Sequence, residues 1–165
     1  MATTPRTKRA ALVLEETGTE ELPVAGGAVN PLESLLGYQL RRASYAMLAD
    51  LSAVLATLDM RVIEASVLLV IQANPDITQS EIGRTLGIQR ANMVPLTTQL
   101  ERRGLIARGP LVGRAQALRL TRKGETLASK CRAGVDAHEA RFRQRFSGEE
   151  HASLVAQLRK LWEGS

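Results

Sequence analysis

Between residues 78 and 104 two short helical patterns follow one another, each ending at a glycine, and this pair limits the fold more than any other feature of the chain. Thr78-Gln79-Ser80-Glu81 reads as a capping box, in which a Thr hydroxyl accepts an N–H of the first turn and a Glu three residues on reaches back. The helix it opens ends at Leu86, because Gly87 can take the left-handed conformation that stops a helix. After a tight turn, Arg90 to Arg103 forms the next helix, and Gly104 ends it. Two short helices joined by a glycine-containing turn are the helix-turn-helix pattern.

The residues after this pair narrow the fold further. Leu105-Ile106-Ala107-Arg108 reads as a strand, Gly109-Pro110-Leu111-Val112-Gly113 as a turn, and Ala115 to Leu120 as a second strand with alternating faces. A hairpin placed directly after a helix-turn-helix is a wing. Upstream, apolar residues recur at three- and four-residue steps from Leu32 to Leu58, which predicts a helix over Pro31–Leu58, capped by Asn30 with Pro31 at its first position. Such a helix would be about 40 Å long. A second helix is expected from Arg61 to Ala73, ended by Asn74-Pro75-Asp76. Downstream, Thr121 can cap a long helix to about Phe146, and Ser147-Gly148-Glu149-Glu150 is a second capping box opening a last helix. Residues 1–30, broken by Pro and Gly and rich in charge, read as a flexible tail.

The fold class implied is mainly α with a small β wing. The expected division is a helical dimerisation region of residues 31–60 and 122–165 around a winged helix-turn-helix domain of residues 61–121. The outer helices carry more apolar surface than one small winged domain can cover, and monomers avoid large apolar patches. Pairing of two copies about a two-fold axis would hide it.

Charge points to the partner. The net charge is +5, but residues 84–132 hold eleven Lys/Arg and two Asp/Glu, a net +9, while the rest of the chain has eleven basic and fifteen acidic residues. A cationic middle third is the electrostatic footprint for a polyanion, double-stranded DNA being the one that a helix-turn-helix fits. Aromatic residues are only 3%, namely Tyr38, Tyr45, Phe142, Phe146 and Trp162. That leaves few faces on which single-stranded bases could stack.

Other classes of function find little footing in the residues. The one cysteine, Cys131, lies on an apolar helix face and is expected in the core. His138 and His151 lack metal-ligand spacing, so neither a metal nor a cofactor is expected. No nucleophile–base pair or Gly-rich phosphate loop suggests an enzyme. No apolar run nears the roughly 20 residues needed to span a membrane. A cytoplasmic protein is the expectation.

The order of the elements and three strings resemble the MarR family of bacterial transcriptional regulators. The strings are Leu86-Gly87-Ile88, Leu100-Glu101-Arg102-Arg103-Gly104-Leu105-Ile106 and Leu118-Arg119-Leu120-Thr121-Arg122-Lys123-Gly124, within a resemblance covering about residues 32–162. It implies dimers with interlocking terminal helices, and release of DNA on binding a small, often phenolic, ligand. The function expected is therefore a repressor of a near-palindromic operator; the alternative is an effector-independent architectural DNA-binding protein.

A recognition helix places polar or small side chains from its first turns in the major groove. Here these are Gln89, Arg90, Ala91 and Asn92, then Val94, Pro95, Thr97 and Thr98. Arg can pair with guanine and Asn with adenine, so Arg90 and Asn92 are the candidate base readers, with a phosphate contact as the other reading of Arg90. Thr78, Gln79, Ser80 and Arg84 are assigned to phosphates, Thr78 serving first as a cap. Pro95 either bends a helix begun at Arg90 or lies in the free first turn of one capped by Asn92. In the wing, Arg114 at the tip suits a narrow minor groove, with Arg108 at the base. Relatives usually carry an Asp near the tip that braces an Arg, and this wing has Leu111-Val112-Gly113 instead. Arg102 and Arg103 are assigned to the helix dipole. A ligand, an aromatic acid or related thioester, is expected near Tyr38, Arg41, Arg42, Tyr45 and His138; half-buried tyrosines and solvated arginines are the plainer reading of the same residues.

Overall fold

The computed structural model describes residues 29–112 and 115–163. The elements run α1 (Leu36–Ala56), α2 (Val62–Ala73), β1 (Ile77–Thr78), α3 (Gln79–Leu86), α4 (Arg90–Arg102), β2 (Ile106–Val112), β3 (Ala115–Leu120), α5 (Arg122–Arg143) and α6 (Gly148–Arg159). The strands form one antiparallel sheet in the order β1-β3-β2. The fold is thus mainly helical with a small winged sheet, as the sequence pattern implies.

Local chemistry sets most of the boundaries. The Thr78 hydroxyl accepts from the Glu81 N–H at 3.3 Å, and the Glu81 carboxylate accepts from the Thr78 N–H at 2.8 Å. Ser147 and Glu150 repeat that arrangement at the start of α6, and Thr121 caps α5 through the Gly124 N–H at 3.1 Å. Gly87 and Gly104 both turn left-handed, with φ of 67° and 68°, and end α3 and α4. The Ile88 and Leu105 N–H groups then bond back to the Gly83 and Leu100 carbonyls, which satisfies acceptors that a helix end leaves open.

The structure departs from the sequence expectation at several places. The first helix begins at Leu36 rather than Pro31, because Asn30 accepts from the Leu32 N–H and closes a separate turn over residues 31–34. Strand β2 runs on through Gly109 and Pro110 to Val112 with a register shift between Arg108 and Leu111; it is an edge strand, where a missing N–H is tolerated. Strand β1 is additional to the expected elements, since a run of two residues carries no periodicity. Helix α5 ends at Arg143 rather than near Phe146. The tail over residues 1–28, and the wing-tip residues Gly113 and Arg114, lie outside the described residues.

The core gathers Leu55 of α1, Leu68 and Ile71 of α2, Ile82 of α3, Met93 and Leu100 of α4, Leu105, Leu118 of β3, and Ala128 and Cys131 of α5. Cys131 is buried, as expected of its helix face, and burial pushes its thiol pKa up. Helix α5 crosses the entry to β2 so closely that a Cβ on Gly124 would collide with the Leu105 carbonyl. Lower on α5, His138 is buried with its Nδ1 2.6 Å from an Asp50 carboxylate oxygen of α1; Arg141 donates to the same oxygen, and the Phe142 ring lies 4.9 Å from the imidazole. The terminal helices are otherwise poorly covered within one chain. Leu32, Leu35, Leu36 and Tyr45 near the start, and Phe146, Leu154, Val155, Leu161 and Trp162 at the end, are exposed, and α6 buries none of its residues.

Gly124→Ala is expected to destabilise the fold by about 3 kcal/mol or more, because backbone rather than a flexible side chain must move; Gly148→Ala, where nothing lies within 4 Å, is the control in urea unfolding. The bonds from His138 and Arg141 hold the Asp50 carboxyl below its ordinary pKa. Its contribution is then present above the unfolded-state value of about 3.9 and is lost as pH falls through the folded-state value. Asp50→Asn should be less stable than the parent at pH 5, and the gap in urea midpoint should narrow as pH falls below the unfolded-state value of about 3.9.

Candidate nucleic-acid interface

Helix α4 is two-faced, and its inner face decides what its outer face presents. Met93, Leu96, Thr97 and Leu100 are buried, a stripe at three- and four-residue steps that seats the helix on the core. Gln89, Arg90, Ala91, Asn92, Val94 and Pro95 are exposed, and Thr98 is half-buried. The helix begins at Arg90, with Gln89 in the cap position making no side-chain cap. Asn92 is therefore inside the first turn and not the cap. Pro95 lies in the helix body, leaving the Ala91 carbonyl without a helical donor on an exposed face.

Thr97 is a correction to the sequence reading. It is only 2% exposed, and its hydroxyl donates to the Met93 carbonyl at 3.0 Å and the Gln79 side chain at 3.3 Å. It lies one helical turn after Met93, so it belongs to the buried stripe, and its role is to join α4 to α3. Gln79 is half-buried on the other end of that bond, and Thr78 is buried and occupied as a cap. Ser80 and Arg84 remain exposed on α3. Arg108 does not reach freely from the wing base: its guanidinium grips Glu101 of α4 with oxygens at 2.9 and 3.2 Å.

The C-terminal end of α4 is held by groups that sequence inspection missed. Arg103 donates to the Asp59 carbonyl at 2.6 Å and its carboxylate at 3.0 Å, and lies 3.5 Å from Glu64. Glu64 is buried at 2% exposure and also accepts from the Arg61 guanidinium and backbone N–H. Arg61 reaches on to Gln99 of α4 at 3.1 Å. Lys123 of α5 donates to the Arg103 carbonyl at 2.9 Å. Arg103 is thus an ion-pair partner rather than only a counter-charge to the helix dipole. Glu64 three residues after Arg61 was the one visible signal, since that spacing puts both on one helical face.

The ligand candidates are only partly gathered. Tyr38, Arg41 and Arg42 come together on α1: the Tyr38 hydroxyl accepts from Asn30 at 2.8 Å and Arg42 at 3.4 Å, and the guanidinium carbons of Arg41 and Arg42 lie 5.4 and 5.8 Å from its ring centroid. The Asn30 bond, then Arg42, draws the Tyr38 pKa down. Tyr45 is exposed two turns on, and His138 is committed to Asp50 and Phe142. Two open clefts of about 320 and 530 Å³ are lined by α5 and α6 and the turn between them, and none of these five residues lines either.

The arrangement has known counterparts. A sequence profile of the MarR family matches residues 58–115. CouR, a transcriptional repressor solved bound to a 23-mer DNA duplex, is 33% identical; the match covers 83% of this chain and 99% of CouR, with a TM-score of 0.75. The chain belongs to the MarR family of transcriptional regulators. CouR bound to p-coumaroyl-CoA matches at 32% identity, covering 84% of this chain and 99% of that one, with a TM-score of 0.74. A MarR family protein of Mycobacterium tuberculosis in complex with salicylic acid is 28% identical over 76% of this chain and 95% of its own, with a TM-score of 0.60.

Within this MarR family chain the Glu64 network should be measurable on its own. Glu64→Ala is expected to cost about 1–3 kcal/mol in urea unfolding, below the roughly 3–5 of a fully buried pair because both arginine partners are partly solvated. A loss below 0.5 kcal/mol, on that same scale of about 1–3, would show that the arginines reach water without penalty.

Proposed function

We propose that this protein is a homodimeric, double-stranded DNA-binding repressor that reads a near-palindromic operator and leaves it when a small ligand binds. The observation that carries the reading is the outward face of α4, where Gln89, Arg90, Ala91, Asn92, Val94 and Pro95 are all solvent-exposed on a rigid helix. Arg90 and Asn92 are the base readers. Ser80 and Arg84 meet phosphates beside them, and Arg114 reaches from the wing tip into the minor groove. The duplex-bound CouR repressor supports the DNA partner.

The second copy is the occupant of the exposed apolar surface on the terminal helices. Leu35, Leu36, Leu154, Val155, Leu161 and Trp162 lie on the first and last parts of the chain, outside the winged unit, and area of that kind is what an obligate dimer buries. A two-fold axis through it sets two α4 helices into successive major grooves, with half-sites about 10 bp apart. The effector is an aromatic acid or its thioester, held by Tyr38, Arg41 and Arg42. Support for this class comes from CouR with p-coumaroyl-CoA and the Mycobacterium tuberculosis protein with salicylic acid.

Selection of bound duplexes from a random pool should return a two-fold repeat, and aromatic acids or their coenzyme A thioesters should release it. Equal binding to selected and random duplexes would contradict the repressor reading in favour of an architectural one. Asn92→Ala should relax one base pair in each half-site, by about 1–3 kcal/mol of discrimination, without changing affinity for random DNA. Val155→Asp with Leu161→Asp should convert the dimer to monomers in sedimentation and weaken operator binding at least about 100-fold, as both half-sites are needed at once.

A further inference from the structure

The base of the wing carries a cross-brace on its exposed face. Arg119 lies on the central strand β3, opposite Ala107 of β2. Its aliphatic stem runs over Gly109 of β2, where a Cβ would come within 3.3 Å of Arg119 Cγ, Cδ and Nε. Its guanidinium grips Asp76, just before β1, through Nε and through Nη2 at 2.7 Å. One side chain of β3 therefore links β2 to the residue that leads into β1. It also adds a rung to β1, whose own ladder is only Ile77↔Leu118 and Thr78↔Ala117.

Asp76 holds this place in a left-handed backbone, φ 64°, a conformation that glycine takes at no steric cost. An aspartate there accepts strain, and its carboxylate is fully used in the fork with Arg119. Directly beyond the brace, β2 shifts register between Arg108 and Leu111, where the wing leaves the regular ladder. Such a shift bends the strand and adds twist, so it re-aims the wing, and the fork fixes the sheet on the body side of it. The wing tip lacks an acid of its own.

We propose that Asp76 and Arg119 are positioning residues that set the direction of the wing, so that Arg114 is presented to the minor groove. This rests on the DNA-binding reading above. Arg119 is by this account not itself a DNA contact, although it is basic and half-exposed. The guanidinium holds the Asp76 carboxyl below its ordinary pKa and is itself raised, as a two-pronged pair requires.

The test uses the full-length protein and a duplex selected from a random pool and flanked by A-tracts. Asp76→Asn removes the charge, Asp76→Gly also removes the strain, and Arg119→Lys keeps a cation that cannot form the fork. Amide exchange is read in residues 107–119 and in α4, and affinity is read in the parent and in an Arg114→Ala background. All three variants should raise wing exchange about tenfold with α4 unchanged, the scale of one partly exposed bidentate pair and its ladder. Each should weaken binding about threefold in the parent and not at all in the Arg114→Ala background. Unchanged wing exchange, unchanged affinity in the parent, or a loss that persists without Arg114 would overturn the brace, the last by making Arg119 a direct phosphate contact. Failure of the parent protein to bind any selected duplex would instead overturn the DNA-binding reading, and the role of the wing with it.

Discussion

The buried stripe of α4 is the interaction on which the rest of the molecule depends. Met93, Leu96, Thr97 and Leu100 lock the helix to the core in one rotation about its axis. That rotation alone decides that Arg90, Ala91, Val94 and Pro95 face solvent. Burial of three large apolar side chains is worth several kcal/mol, at about 1.5–3 each. No surface contact on the outer face competes with that, so the outward face is a by-product of packing and is fixed for the same reason. The Thr97 hydroxyl adds direction, since its bond to Gln79 ties the helix to α3.

Around this stripe the two ends of α4 are treated differently. The N-terminal end is left without a side-chain cap, so its first N–H groups stay available at the face proposed to meet a duplex, while Pro95 leaves the Ala91 carbonyl free beside them. The C-terminal end is fastened to the α1–α2 junction and to α5 through Arg103, Asp59, Glu64, Gln99 and Lys123. Asp59, like Asp76, is a non-glycine residue at positive φ. Each sits in a turn that leaves a helix and pairs with an arginine far along the chain.

The features legible in the sequence are local. Capping boxes at Thr78 and Ser147 and the stops at Gly87 and Gly104 act within a few residues, so spacing alone exposes them; the alternation expected of β3 is not kept, since Ala117 and Leu118 are both buried. Contacts between residues some forty apart, Arg103 with Asp59 and Arg119 with Asp76, leave no periodic trace, and β1 is too short to leave one. Thr97 misleads because a polar side chain on a recognition helix looks like a reader; its burial follows from its place one turn after Met93. Asn30 misleads for a related reason. An Asn-Pro pair suits both a helix start and a free turn, and the choice depends on the Tyr38 hydroxyl eight residues on.

The claim that α4 enters a duplex groove twice can be read directly from DNA. Cys131 is 0% exposed, so in Ala91→Cys protein a thiol-reactive iron chelate attaches to position 91 alone. Bound to its selected duplex, the conjugate should cut the strands in two clusters on one face, centred about 10 bp apart. Cutting spread evenly along the duplex, or confined to a single cluster, would contradict the account.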